Sequence, residues 1–360
     1  MLKRPFHLGY LITLTSLTSL VNAEDVLPQS RLRAAATRGI TILQKASSSY
    51  PEHRTCFSCH HQTLPALALD AARDHGLSID EKIFRETIDF AHDSFHDRIA
   101  SMKRGHGVGG GPLTTGYGLW TMEIGERKRD ETTSAMVQYL LKRQEQDGSW
   151  KRATERPPLS ESHITCTVLA VHYMQKYADD SQKKAVEEAV ARARPWLERA
   201  KPTTQEDRNS LLGGLALVRS KPERIAEARK RVLAAQNEDG GWGQLPGRAS
   251  DAYATGQTLF TLKTTRMKAT DPTFQRGLSF LLDNQLDDGS WFVKTRSKPL
   301  QVFFDNGDPH GKSQFISISA TAWATTALSL AVRRDTKTKK AIPYDKRKRE
   351  SGPPKTKLSL

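Results

Sequence analysis

Apolar residues recur along this chain at the helical spacing of three to four, in runs that polar gaps separate from one another. Ala and Leu dominate these runs, as helices require, while aromatic residues make up only 7% of the chain. The pattern predicts twelve helices in six consecutive pairs, at 30–48 with 61–74, 80–100 with 113–124, 129–145 with 160–177, 181–194 with 204–219, 221–236 with 250–266, and 272–285 with 315–333.

One short segment ends three of these helical runs. Its form is Gln-x-x-Asp-Gly-small-Trp, and it occurs at 144–150, 236–242 and 285–291. The Asp-Gly pair predicts a turn, because glycine accepts a positive φ angle without steric penalty. The Trp has a large apolar face to bury and an indole N–H that needs an acceptor, and the Gln can bind the turn. Three copies of so specific a segment indicate a repeat protein.

The spacing of the tryptophans sets the period of the repeat. Trp242 and Trp291 are 49 residues apart, and Trp150 and Trp242 are 92 apart, close to two periods. A degenerate copy is therefore expected at Trp196, where we expect Pro195 to end or kink a helix. Paired helices repeated at this period predict a helical array, either an open solenoid or a closed ring.

The repeated segments resemble the QW motifs of the squalene–hopene cyclase and prenyltransferase superfamily. The resemblance implies an all-α fold, an (α/α)6 toroid in which six inner and six outer helices surround a central cavity. We expect this toroid over 24–334, with the second helix of each pair on the inside. The motif is specific for the fold and much less so for an activity, which depends on residues carried by the toroid.

The two ends of the chain differ from the rest in composition. Residues 1–23 combine a basic start, an apolar core and a small-residue cleavage site, which predicts a secretory signal peptide and an exported, periplasmic protein. An uncleaved N-terminal anchor is the alternative, and no other segment is apolar enough to span a bilayer. Residues 335–360 hold nine Lys or Arg against three acids, which predicts a disordered basic tail.

The formal net charge is +15, and the tail carries much of it. On an exported protein, a basic tail favours anionic envelope surfaces as partners over nucleic acid, and we predict no nucleic-acid partner. A solvated tail with no partner at all is the alternative.

Cys56-Phe57-Ser58-Cys59-His60 matches the attachment pattern of c-type haem. Two thiols one helical turn apart can form thioethers with the two vinyl groups on one porphyrin edge, and His60 then directs its imidazole to the iron. Export agrees with this interpretation, because haem is attached to such segments outside the bacterial cytoplasm. The segment lies where the period predicts a turn, so we expect one covalent haem c at a rim of the toroid.

Other interpretations of the cysteines stay open. Cys56 and Cys59 could form a disulfide in an oxidising compartment, or bind zinc with His60 and His61, or remain free thiols. Cys166, on the apolar face of an inner helix, is expected to be a small buried hydrophobic residue.

The sequence does not fix a sixth iron ligand. His106, in the Gly-rich run 105–111, and His310, in the loop 297–314, are preferred because both are expected at a rim. An open sixth position favours ligand binding or peroxide chemistry, and a filled one favours electron transfer. The other candidates are His75, His92, His96, His163, His172 and Met102.

The catalytic motifs of the resembled families are not reproduced. Squalene–hopene cyclases protonate an alkene with the motif D-x-D-D-T-A, and the nearest stretch here keeps only Asp251, which at a helix start is more simply an N-cap. The Asp-x-Cys part of the prenyltransferase zinc site is also missing. Aligning Thr165 with Thr255 places Glu161 and Asp251 at equivalent positions, and glycoside-cleaving toroids need two carboxylates facing a cleft. With Tyr253 they form the candidate catalytic set.

Two function classes follow from these observations. The first is a haem-carrying toroid that exchanges electrons with a redox partner or binds a small ligand. The second is a cavity enzyme without haem, acting on an apolar or sugar substrate. A non-catalytic scaffold is a third option.

Overall fold

The computed structural model describes residues 26–298 and 303–334, and these form thirteen α-helices and no β-strand. Cys59–Thr63 adds a π-helical turn before α2, and Gly311–Ser313 a 3-10 turn before α13. All twelve predicted helices are present. The helices are α1 (Gln29–His53), α2 (Leu64–Asp74), α3 (Glu81–His96), α4 (Ile99–Lys103), α5 (Gly111–Ile124), α6 (Glu131–Lys142), α7 (His163–Tyr177), α8 (Lys183–Arg199), α9 (Gln205–Leu217), α10 (Pro222–Leu233), α11 (Ala252–Thr264), α12 (Pro272–Asp283) and α13 (Gln314–Ala331).

The second helix of each pair forms an inner ring. Helices α2, α5, α7, α9, α11 and α13 pack side by side in chain order, and α13 packs back against α2. The predicted all-α (α/α)6 toroid is therefore confirmed. Thr165 and Tyr253, from the first turns of α7 and α11, both donate hydrogen bonds to Glu206 in the first turn of α9, so these helices start at the same end of the ring. We call that end the mouth and the opposite end the base.

Two predicted boundaries are wrong. The predicted helix 80–100 is broken, because α3 ends at His96 and the short α4 follows as a separate element. Pro195 does not end a helix, since α8 continues through it to Arg199. Trp196, in the degenerate copy, is only partly buried.

The three QW turns explain the repeated segment. Trp150, Trp242 and Trp291 are almost fully buried. Each indole N–H donates to a carbonyl near the end of the preceding outer helix, at 2.7, 2.9 and 2.7 Å. Each Trp amide donates to a threonine hydroxyl on the next inner helix, and those threonines are Thr167, Thr255 and Thr321. The structure therefore equates Thr167 with Thr255, and the predicted alignment of α7 is two residues out.

The glutamine of each QW turn joins one repeat to the next. Gln144, Gln236 and Gln285 each donate to their own turn and also to a carbonyl of the following outer helix. For Gln285 the second acceptor is the carbonyl of Ala35 in α1, at 2.9 Å. The last repeat is thereby bonded to the first, so the array is a closed ring and not an open solenoid.

Aromatic side chains cross the middle of the ring. Trp120 on α5 lies 6.0 Å, between ring centroids, from Phe260 on α11, although these helices stand opposite each other. It also lies 6.2 Å from Trp323 and 6.2 Å from Tyr173. We call these four residues the aromatic layer. Opposite helices touch at this level, so the aromatic layer separates a mouth side of the centre from a base side.

The predicted signal peptide and the predicted basic tail lie outside the described residues. Among the residues that the structure describes, no helix is both long and apolar enough to cross a bilayer. A groove of about 630 Å³ runs along the outer surface of α10 past Ile225 and Leu233, and none of the candidate residues lines it.

Candidate functional site

The Cys56–His60 segment connects α1 to α2 at the mouth. Cys56 is exposed, and its Sγ lies 3.7 Å from the hydroxyl of Tyr50. Cys59 is partly buried against the core, and burial raises the pKa of its thiol to about 12. Cys56, Cys59 and Cys166 are free thiols, and Cys166 is buried as predicted.

His60 lies in the π-helical turn before α2 and is packed among other side chains. Its imidazole packs against the rings of His61 and Phe315, at centroid distances of 4.6 and 5.0 Å. Burial lowers the pKa of His60 well below its ordinary value, and the nearby His61 and Arg156 act in the same direction. The side chain still keeps some exposed surface. At neutral pH His60 is therefore an uncharged imidazole, the form that binds metals.

His61, next in the chain, ties a distant loop to this segment. Its Nε2 lies 2.7 Å from Asp308 Oδ2, and the amide nitrogen of Asn306 lies 3.2 Å from the same Nε2. The imidazole stacks on Tyr50 at 4.5 Å. Within the described part of the chain, His61 Nδ1, Asn306 Oδ1 and Ser58 Oγ are buried without a hydrogen-bond partner. Such atoms are uncommon in folded proteins, and here three of them lie in or against one short segment.

A buried polar cluster lies inside the mouth, centred on Glu206 in the first turn of α9. Its carboxylate accepts hydrogen bonds from Thr165 at 3.0 Å, Tyr253 at 3.0 Å and Gln257 at 2.6 Å. Burial raises the pKa of Glu206 to about 7, although these three bonds lower it. A carboxyl group that gains and loses its proton near neutral pH is suited to general acid–base chemistry.

The predicted catalytic residues are only partly brought together. Tyr253 donates its hydroxyl hydrogen to Glu206 and belongs to the cluster. Asp251 is the N-cap of α11, since its Oδ1 accepts the amide of Ala254 at 2.9 Å, and burial raises its pKa to about 6. The N-cap of α7 is Ser162 and not Glu161, so Glu161 and Asp251 do not occupy equivalent positions as aligned from the sequence.

Glu161 is engaged by an arginine from the opposite side of the mouth. Arg296, in the segment before α13, forms an ion pair with Glu161, and its Nε donates to Gln244 at 2.7 Å. Burial raises the pKa of Glu161 although Arg296 lowers it. These bonds join repeat 6 to repeats 3 and 5 above the Glu206 cluster.

The two preferred sixth ligands, His106 and His310, lie in the turn after α4 and in the loop before α13. His106 is exposed in the turn after α4, and its carbonyl accepts a hydrogen bond from Ser101. His310 has its Nε2 2.7 Å from Ser290 Oγ, and its ring lies 5.3 Å from that of Phe292. Among the described residues, no group of three or more His, Cys, Asp or Glu side chains could hold a metal ion, so the zinc alternative gains no support.

Sequence reasoning missed Glu206 and Arg296 as members of the site, and it considered His61 only as a zinc ligand. A signal for Glu206 was present, since Gln205, Glu206, Asp207 and Asn209 make the first turn of α9 unusually polar for an inner helix. Part of this polarity belongs to the helix start, because Thr204 and Asp207 form a capping box there, and Glu206 has no such local role.

No protein-family model matches the chain, and no curated protein matches it in sequence. Solved structures do match in shape. The type II terpene cyclase MstE from Scytonema has a TM-score of 0.56 at 12% identity, covering 83% of this chain and 98% of its own. A glycosidase variant has a TM-score of 0.55 at 12% identity, with 85% and 98% covered. A protein from Actinoplanes has a TM-score of 0.54 at 16% identity, with 83% and 99% covered. At these identities the likeness establishes the toroid fold alone.

Proposed function

We propose that this protein is an exported toroid that holds one c-type haem at its mouth through Cys56, Cys59 and His60. Its task would be electron transfer to a redox partner or the binding of a small ligand. The observation that carries the proposal is the location of the complete Cys-x-x-Cys-His segment at the mouth, with its first thiol exposed and its imidazole uncharged.

The surroundings of the segment fit a flat, largely apolar group. Phe315 packs on His60, Phe304 packs on Phe315 at a centroid distance of 5.2 Å, and Phe303, next in the chain to Phe304, is 46% exposed. The guanidinium of Arg54 lies 3.7 Å over the ring of Phe304, where it can form an ion pair with a carboxylate at the edge of the bound group. Cys56 and Cys59 would be the thioether sulfurs and His60 the iron ligand. When bound, the group supplies a redox-active iron.

The test is to express the protein with its N-terminal segment in a host that has c-type haem maturation. A Soret band and a mass gain of one haem, retained after denaturation, are expected. Cys59→Ser should lower covalent attachment, and Cys166→Ser is the matched control that should retain it. Absence of both signals in the exported wild-type protein would overturn the proposal.

Acid–base catalysis without haem is a second candidate, which we infer from Glu206. A buried carboxyl with a pKa of about 7, held by Thr165, Tyr253 and Gln257, has the properties of a general acid. The terpene cyclase and the glycosidase that share this fold agree better with this candidate than with haem binding. Because the aromatic layer closes the base side, a substrate would enter at the mouth, past the Arg296–Glu161 ion pair.

Product formation from linear terpenoids and from oligosaccharides tests this second candidate. Turnover that Glu206→Gln abolishes, in a protein of unchanged fold, would support it. Turnover that survives the substitution would remove Glu206 from the mechanism.

A further inference from the structure

The aromatic layer has one face open to solvent. Tyr173 and Trp323 are 5% and 2% exposed, whereas Trp120 and Phe260 keep larger exposed areas. One to two turns closer to the mouth, Tyr117 and Tyr253 are each 1% exposed, so solvent does not reach the layer from that side. Trp120 and Phe260 are therefore exposed towards the base.

A glycine leaves space beside these two rings. Gly213 lies seven residues after Glu206 on α9, and residues two turns apart share one face of a helix. Glu206 faces the centre of the ring, so Gly213 faces it as well, at the level of the aromatic layer. A Cβ added at Gly213 would meet no heavy atom within 4 Å. Glycine is unfavourable inside a helix, and here it keeps a recess open at the base.

Polar side chains border this recess. Glu123 follows Trp120 by one turn of α5, and its side chain is 32% exposed. His172 lies seven residues after Thr165, which bonds Glu206, so it also faces the centre, and its side chain is 42% exposed. Its Nε2 lies 3.8 Å from a carboxylate oxygen of Glu123, and Lys176 Nζ lies 3.4 Å from the other.

We propose that this base recess is a binding site for a sugar ring, stacked on Trp120 and Phe260. A sugar ring has an apolar C–H face, which fits exposed aromatic rings, and a hydroxyl edge, which needs donors and acceptors. Glu123 offers acceptors, and His172 and Lys176 offer donors. A purely apolar ligand would take these charged groups out of water without replacing the hydrogen bonds they make to it, which is unfavourable. The site lies on the opposite side of the aromatic layer from Glu206 and does not depend on either proposed function.

The test uses calorimetry and tryptophan fluorescence with maltose, cellobiose and N,N′-diacetylchitobiose as probes. At least one of them should bind and quench the fluorescence. Trp120→Ala should weaken that binding by about tenfold, the loss expected for one aromatic stacking contact.

Gly213→Leu is the sharper variant, because it fills the recess while replacing a helix-breaking residue with a helix former. It should abolish sugar binding at an unchanged or higher melting temperature, which separates loss of the site from unfolding. Gly109→Leu is the matched control, since a Cβ there also meets nothing within 4 Å but the residue lies in the loop before α5. Sugar binding that survives Gly213→Leu, binding of none of the three probes, or binding of farnesol in their place would each overturn the proposal.

Discussion

The QW turns and the Cys56–His60 segment occupy the same place in their repeats, between an outer and an inner helix, yet they are built differently. In the turn at Trp291, the indole N–H, the Trp amide and the side-chain amide of Gln285 all have partners. In the Cys56–His60 segment, Ser58 Oγ has none among the described residues and Cys56 is exposed.

The difference separates residues that hold the fold from residues that are available for function. Buried polar groups that are fully paired stabilise one conformation, whereas a buried group without a partner destabilises it and an exposed group contributes little. The QW turns therefore stabilise the ring. The Cys56–His60 segment instead leaves side chains available for other interactions.

The largest expected effect is the loss of a QW tryptophan. Trp291→Ala should lower the free energy of unfolding by about 3–5 kcal/mol, because it removes a fully buried aromatic side chain and leaves the Leu281 carbonyl unpaired. Urea denaturation measures the change. Trp196→Ala is the control, and it should cost clearly less because Trp196 is only partly buried. Equal losses would mean that the degenerate copy has the same role as an intact turn.

The second prediction asks whether a buried side chain that has hydrogen-bond partners, Glu206, can still lower the free energy of unfolding. Its folded pKa of about 7 lies above the unfolded value, so its contribution to stability is complete below the unfolded pKa and is lost as the pH rises through 7. Glu206→Gln should remove this dependence and gain roughly 3 kcal/mol at most over wild type at pH 8. Unfolding free energies of both proteins at pH 5 and pH 8 provide the measurement. Parallel pH profiles would show that Glu206 titrates normally.

The glutamines test ring closure. Gln285→Ala removes the bonds to Ala35 and Gly289 and should cost about 1–3 kcal/mol, the usual net contribution of two hydrogen bonds. Gln144→Ala removes the same bonds at an internal joint and is the matched control. Only Gln285→Ala should increase hydrogen exchange in both α1 and α12. If the two variants behave alike, the closing contact has no special role.

The smallest effect is expected in the Cys56–His60 segment. Cys56→Ser should change the free energy of unfolding by no more than about 0.5 kcal/mol, the usual range for an exposed side chain, whereas under the haem proposal it would also remove one thioether attachment point. Denaturation curves of the haem-free proteins measure this. A loss comparable to that of Gln285→Ala would assign the segment a structural role.

The sequence was sufficient for features that repeat or that depend on neighbours in the chain. The apolar periodicity predicted the twelve helices, the period of the QW turns predicted their array, and the Asp251 N-cap followed from its position before α11. It was insufficient for contacts between distant repeats. The Arg296–Glu161 pair spans 135 residues, and neither residue belongs to a repeated pattern.

The register of α7 shows a different cause of error. Thr165 and Thr167 both fit the repeated threonine of the inner helices, and only the Trp150 amide, which bonds Thr167, distinguishes them. The centre of the ring was also beyond prediction, because the pairing of Trp120 with Phe260 depends on how narrowly the inner helices close.

The bond from Gln285 to Ala35 has a consequence for the order in which the chain assembles. The two residues are 250 positions apart, so the first repeat cannot pack against the last until nearly the whole chain has been synthesised. Closing so long a loop is also entropically costly. The His61–Asp308 contact, with a separation of 247, forms at the same late step. Cys56 and Cys59 can thus be reached before the ring closes, and any chemistry performed on them can precede that step.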